Sequence, residues 1–306
     1  MTDDLADYVN LGLPRHIIIY GSKGSGKTLS ALIMAKALRD TKSVPYFYVN
    51  VRENPTSTKI YRNIARLFGK GHEVEEVKNR CDEMLSNKSL VVLDEVDFLQ
   101  DYDILYHITR HTKANHILLT QKVYWYKNMN DESIKNSLQP DHIVFHKYST
   151  EEICEILRMK AKEGLNEYDK ESLGLLSALL VRGYRSEARI GIKALEILGR
   201  SNKWDEDSIK TALKQAYVEV EGETLRNLGD RDLLIVVALV KNHDTNKAYS
   251  EVSASSHLLL RGVSKSAFFQ SVNYLQDLGL ITLNRQIVYN GIANIIIGCV
   301  DCIWRA

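Results

Sequence analysis

The eight residues Gly21-Ser22-Lys23-Gly24-Ser25-Gly26-Lys27-Thr28 constrain this chain more than any other stretch, because the spacing G-x-x-x-x-G-K-[ST] suits one local structure. The glycines let the backbone curl until successive N–H groups point inward at phosphate oxygens, and a helix starting on the last residues adds its positive N-terminal end. In that arrangement Lys27 reaches the β- and γ-phosphates of a nucleoside triphosphate such as ATP, and the Thr28 hydroxyl ligates magnesium. At ordinary glycine usage the pattern arises by chance in about one chain in a hundred of this length. In this chain a β-branched run precedes it over residues 16–20, and apolar residues at helical spacing follow over 29–38. Strand, loop and helix in that order open an α/β fold built on a phosphate-binding loop.

Leu90-Val91-Val92-Leu93-Asp94-Glu95 supplies the second half of such a site. An apolar buried strand carries carboxylates to its C-terminal edge, where the ligands of parallel sheets gather. Asp94 is placed to hold the magnesium directly or through water, and Glu95 to polarise an attacking water as general base. The bland alternative is an acidic helix cap. Gln121, at the end of a later strand, is a candidate to set its amide near the γ-phosphate, against the alternative of a polar loop residue. Arg189, or Arg185, is a candidate to reach the phosphates from a helical block, against that of a surface arginine.

Strand-like runs at 16–20, 44–51, 89–93, 116–120 and 141–145 alternate with helical patterns at 29–38, 57–68, 73–85 and 104–109. That alternation predicts a parallel sheet covered on both faces. From residue 149 the chain reads as helices only, at 150–164, 171–182, 186–198 and 206–220, followed by a polar linker at 221–229 containing two glycines. Three further helices are expected at 233–240, 249–260 and 264–278, the last starting at a serine cap and ending at Gly279. Strands at 280–283 and 295–300, joined by a longer loop, complete the order of a winged helix-turn-helix. The expected organisation is therefore a P-loop core over 1–148, an all-helical lid over 149–222 and a winged-helix domain over 223–306.

The net charge of +1 does not by itself announce nucleic acid, although residues 226–306 carry eight Lys and Arg against six Asp and Glu. In a winged helix the third helix enters the major groove and the hairpin touches the backbone. Its candidates are Lys265, Ser266, Gln270 and Asn273, on a face away from Phe268, Val272 and Leu275, with Arg261 before the helix and Arg285 in the wing. So few basic groups imply modest affinity and a shallow salt slope, and leave open a module that docks protein. No apolar run reaches the roughly 18 to 20 residues that cross a bilayer, and Met1-Thr2-Asp3-Asp4 lacks a leader pattern, so the expectation is a cytoplasmic protein off the membrane. Cys299 and Cys302 form one C-x-x-C, read as two packed thiols in preference to a metal site.

Together these residues resemble the archaeal initiator branch of the AAA+ ATPases, the origin-recognition-complex and cell-division-control type. Tyr48-Val49-Asn50-Val51-Arg52 is similar to the family's YVNCR-type strand, and Leu93-Asp94-Glu95-Val96-Asp97-Phe98-Leu99 to its LDE-x-D-x-L block. Asp103-Ile104-Leu105-Tyr106-His107-Ile108-Thr109-Arg110 resembles LLY-x-LTR. Asn136-Ser137-Leu138-Gln139-Pro140 and residues 143–148 resemble SSL-x-P and F-x-x-Y, and Glu155-Ile156-Leu157-Arg158 the ILR of the lid. Three positions depart from the pattern. Gln121 stands for an asparagine, Ser186-Glu187-Ala188-Arg189-Ile190-Gly191 for G-D-A-R-R-A, and Ser133 for an arginine offered to a neighbouring subunit, with Lys135 two residues on lacking the planar fork. The resemblance implies a divergent paralogue of replication initiators that binds ATP or ADP with Mg2+ and hydrolyses ATP slowly. It also implies that the nucleotide state switches the grip on origin-like double-stranded DNA, with replication-factor paralogues as partners. A nucleotide-gated accessory ATPase of the transposition or partition kind, its C-terminal helices docking protein, is the competing reading.

Overall fold

The computed structural model describes residues 15–68, 71–184, 186–226, 228–255, 257–258, 260–277, 280–283 and 287–289. The chain divides into two compact units, Met1–Ser149 with Arg185–Glu187, and Thr150–Tyr184 with Ala188–Ala306.

In the first unit β1 (Ile17–Gly21), β2 (Tyr46–Asn50), β3 (Ser89–Asp94), β4 (Ala114–Thr120) and β5 (Asp141–Phe145) form a parallel sheet in the order β2-β3-β4-β1-β5. Parallel strands need crossovers, and those helices cover both faces, so the central strands are buried and largely apolar. Ile17, Ile18 and Ile19 of β1 and Leu90 to Leu93 of β3 are wholly buried. Ile18, Tyr20, Val91 and Leu93 face the cluster holding Ile60, Tyr61 and Ile64 of α2 (Ser57–Ala65), Val77 and Cys81 of α3 (Val74–Met84), and Ile104, Leu105 and Ile108 of α4 (Asp103–His111). Ile17, Ile19, Leu90 and Val92 face the other cluster, with Ala31 and Ala35 of α1 (Lys27–Lys42). Each fully buried aliphatic side chain contributes about 1.5–3 kcal/mol. Register places Tyr20 beside Thr120 and Leu93 beside Leu118, so the C-terminal ends of β1, β3 and β4 meet at one edge.

The expected alternation is borne out, with one addition. A short helix, α5 (Glu132–Leu138), precedes β5 and starts where the Asp131 carboxylate accepts from the Ile134 N–H at 3.1 Å. Seven residues are too few for a periodic pattern to announce it.

The second unit opens with α6 (Thr150–Gly164), α7 (Lys170–Gly183), α8 (Ala188–Ser201) and α9 (Glu206–Arg226). The linker expected at 221–229 is corrected in part. α9 runs through to Arg226, because Glu, Leu and Arg are good helix formers and a single interior glycine costs only about 1 kcal/mol. The break falls later, and Gly229 stands at the start of α10 (Asp230–Asn242).

α11 spans Thr245–Ala254, earlier than the expected 249–260. The Asp244 carboxylate caps it by accepting from the Lys247 N–H at 2.8 Å, and serines close it. Ser253 Oγ donates to the Ser250 carbonyl at 3.1 Å and Ser255 Oγ accepts from His257 N–H at 3.2 Å, local bonds that compete with the helix. α12 (Lys265–Asp277) begins at the expected serine, whose Oγ accepts from Ala267 N–H at 3.2 Å. β6 (Ile281–Leu283) pairs antiparallel with β7 (Ile287–Tyr289), so the hairpin closes sooner than expected. The strand anticipated at 295–300 lies outside the described residues, as do Gly279, Cys299 and Cys302. No helix among the described residues is long and apolar enough to cross a membrane.

Candidate functional site

The loop between β1 and α1 has the shape its composition predicts. Gly24 and Gly26 hold φ of 80° and 84°, left-handed values that L-residues adopt only at a cost. The space is closed as well. A Cβ at Gly24 would lie 2.7 Å from the Glu187 side chain, and one at Gly26 would fall on the Tyr148 hydroxyl. Lys27, largely buried, donates from Nζ to the Gly21 carbonyl at 2.7 Å and the Ser22 carbonyl at 3.0 Å. Burial lowers its pKa, while Asp94, Asp97 and Glu95 act in the opposite sense.

The edge of β3 meets this loop. Thr28 Oγ1 donates to Asp94 Oδ2 at 2.7 Å, Tyr48 Oη donates to the same oxygen at 3.0 Å, and the Glu95 N–H donates to Asp94 Oδ1 at 2.9 Å. Asp94 is buried, and three donors hold its carboxylate in place. Burial, then the Asp94 charge and hydrogen bond, raises the Tyr48 pKa, so the phenol stays a donor. Glu95 adopts φ 55°, ψ 46°, a conformation that costs a non-glycine residue about 1–3 kcal/mol and recurs where surroundings over-determine a functional group. Burial raises its pKa; Arg52 opposes this and the Asp94 and Asp97 charges add to it.

A nucleoside triphosphate with magnesium fits this arrangement. Ser25 Oγ is buried with no hydrogen-bond partner among the described residues, and no side chain caps the N-terminus of α1. Its first N–H groups are the kind that anions satisfy. One hydroxyl and one carboxylate, completed by phosphate oxygens and water, match the oxygen-rich shell of Mg2+.

Beyond that centre, Gln121 is half-buried at the end of β4 and its N–H donates to Asp97 Oδ2 at 2.9 Å. Arg189 stands exposed at the start of α8 in the second unit, and Arg185 lies outside the described residues. At Ser133 the structure brings in a guanidinium from elsewhere. Arg110 of α4 donates from Nε to Ser137 Oγ at 2.9 Å and from Nη2 to Ser133 Oγ at 3.5 Å. Lys135 is tied to the Lys127 carbonyl at 3.1 Å and to Glu132 at 3.0 Å. Tyr48, Asp97, Tyr148 and Glu187 were not singled out by sequence, although each lies in a quoted motif. Their signal was present, but no spacing rule said which loop they would face.

In α12, Lys265, Ser266, Gln270 and Asn273 are exposed, as is Arg261, while Phe268, Val272 and Leu275 are buried. The predicted division into a polar and an apolar face is present. Arg285 lies outside the described residues.

Comparison with known proteins agrees with the fold. A family model described as an AAA domain matches residues 12–123. The chain is 25% identical over 316 residues to ORC1-type DNA replication protein 1 of Sulfolobus acidocaldarius, covering 92% of this chain and 79% of that protein. It is 27% identical over 306 residues to the protein of the same name from Sulfurisphaera tokodaii, covering 88% and 76%. Among solved structures it is similar to the Aeropyrum pernix ORC1 protein in complex with DNA, with a TM-score of 0.72 at 23% identity over 94% of this chain and 86% of that one, a likeness of fold.

Proposed function

We propose that the chain is an AAA ATPase of the ORC1 type, an ATP-dependent DNA-binding protein of the replication-initiator kind in which the ATP or ADP state sets DNA binding or assembly. The observation that carries the reading is the Thr28–Asp94–Tyr48 constellation at the mouth of the phosphate loop. It occurs in a chain related over about nine-tenths of its length to replication proteins. The complex of the Aeropyrum pernix ORC1 protein with DNA supports DNA as the target.

In this reading the N–H groups of residues 21–28 and the start of α1 bind the phosphates, with Lys27 neutralising their charge. Thr28 and Asp94 hold Mg2+, and Tyr48 keeps the Asp94 carboxylate aimed. Bound ATP supplies the γ-phosphoryl group that is transferred to water. Glu95 takes the proton of that water, and its raised pKa moves it toward the range where a base works near neutrality. The Gln121 amide orients at the γ-phosphate, and Arg189 reports the nucleotide state from the helical lid. The parts are a core over 1–148, the lid over 149–222 and a winged helix over 223–306. In the last, Arg261, Lys265, Ser266, Gln270, Asn273 and Arg285 face double-stranded, origin-like DNA.

Footprinting on host chromosomal DNA with ATP, with ADP and without nucleotide tests the proposal. The expected result is a discrete protected site whose strength differs between ATP and ADP and loses that difference in Lys27→Ala. Nucleotide binding with no duplex preference in any state would refute DNA as the target and favour a protein-docking module.

A further inference from the structure

We propose that Asp97 is a positioning residue that latches the end of β4, and with it Gln121, to the turn carrying Glu95. Its carboxylate accepts from Thr120 Oγ1 at 2.6 Å, Gln121 N–H at 2.9 Å and Lys122 N–H at 3.3 Å. Thr120 is wholly buried, so one end of the latch is anchored in the core. The other end is equally fixed. Asp97 lies in the 3-10 turn Val96–Phe98, whose Phe98 N–H donates to the Glu95 carbonyl at 3.1 Å. β3 and β4 are hydrogen-bonded only as far as Leu93 and Leu118, and Asp97 continues the connection past the end of the ladder. Two residues that sequence places 26 apart, Glu95 and Gln121, thereby share one rigid corner. A shift of Gln121 toward or away from a γ-phosphate is transmitted to the left-handed backbone of Glu95.

The inference rests on the ATP site proposed above, and its test separates the two. ATP and ADP are each titrated with Mg2+ into the full chain by calorimetry. The variants are Asp97→Ala, Asp97→Asn, Gln121→Ala and the Asp97→Ala/Gln121→Ala double, and turnover is measured alongside. Asp97→Ala and Gln121→Ala should each shift the ratio of ATP to ADP affinity by about threefold or more, leave ADP affinity within about twofold and slow turnover about tenfold. The double variant should match the worse single one, because both changes break the same unit. Asn keeps an acceptor for Gln121 N–H and offers an amide to the Thr120 hydroxyl, so it should restore the ratio and most of the turnover. An unchanged ratio in Asp97→Ala, multiplicative losses in the double variant, or an Asn variant as impaired as Ala would each overturn the latch. The last outcome would assign the effect to the Asp97 charge acting on Lys27 and Glu95. A parent chain that binds neither nucleotide would sink the ATP site itself, and the latch with it.

Discussion

Acid should destabilise the core through two histidines at the edge of the sheet away from the phosphate loop. His16, just before β1, is 5% exposed and His116 in β4 is wholly buried, with ring centroids 5.2 Å apart. His16 Nδ1 accepts from the His116 N–H at 3.1 Å, which requires that nitrogen to be unprotonated. Burial lowers the His16 pKa from 6.5 to about 4, and burial, then the neighbouring His16, lowers that of His116. The folded pKa lies below the unfolded one, so the unfolded chain binds more protons as pH falls through 6.5, and stability is lost on acidification. Between pH 6 and pH 4.5 the unfolded His16 ring is largely charged and the folded one largely is not, so His16 takes away up to about 1.4 kcal/mol per pH unit, and His116 acts in the same direction. For His16 the loss is complete near its folded value and totals about 3 kcal/mol, a large share of the stability of a typical domain. Urea melts at pH 7.0, 6.0, 5.5 and 5.0 measure it. His116→Leu removes one titrating group and should make the acid slope shallower, whatever it does to stability at pH 7. A slope identical in the parent chain and in His116→Leu would refute the reasoning.

Three further outcomes are expected. Gly26→Ala puts a side chain at φ 84° against the Tyr148 hydroxyl and should cut ATP affinity about tenfold or more with the melt little changed, as calorimetry can show. Tyr48→Phe removes one of three donors to Asp94, worth about 1 kcal/mol, and should raise the Mg2+ concentration needed for ATP binding several-fold; an unchanged Mg2+ titration would mean the phenol does not aim the carboxylate. Arg261→Ala and Lys265→Ala should weaken DNA binding evenly across sequences and flatten the salt dependence by about one unit of log–log slope per lost phosphate contact, while an unaltered slope would remove those residues from the interface.

How much could be read in advance differed by element. The phosphate loop was legible because its chemistry is contiguous: glycine conformational freedom, a lysine and a hydroxyl follow one another, and the strand before and helix after announce themselves by period. The face of α12 was legible for the same reason, since residues 265 to 275 repeat at helical spacing. α5 was not, being too short to show a period, and the passage of α9 through Gly222 was not, because one glycine marks a break no better than a tolerated cost. The hairpin register escaped because short apolar runs at 281–283, 287–289 and 295–300 compete as partners for the same strand.

By itself, then, the amino-acid order determined that residues 21–28 would form a glycine loop between a strand and a helix, that Asp94 and Glu95 would stand at a strand end, and that a polar helix face would follow near residue 270. Only the tertiary structure decided which groups meet. Thr28 and Tyr48 both reach Asp94 across 66 and 46 residues, Asp97 rather than a residue of β4 holds Gln121, and Arg110 lies against Ser133. Backbone conformation is set by sterics and hydrogen bonds within a few residues, which a local pattern records. Partners across a sheet are set by strand order and register, which depend on how the whole core packs and leave no trace in spacing along the chain.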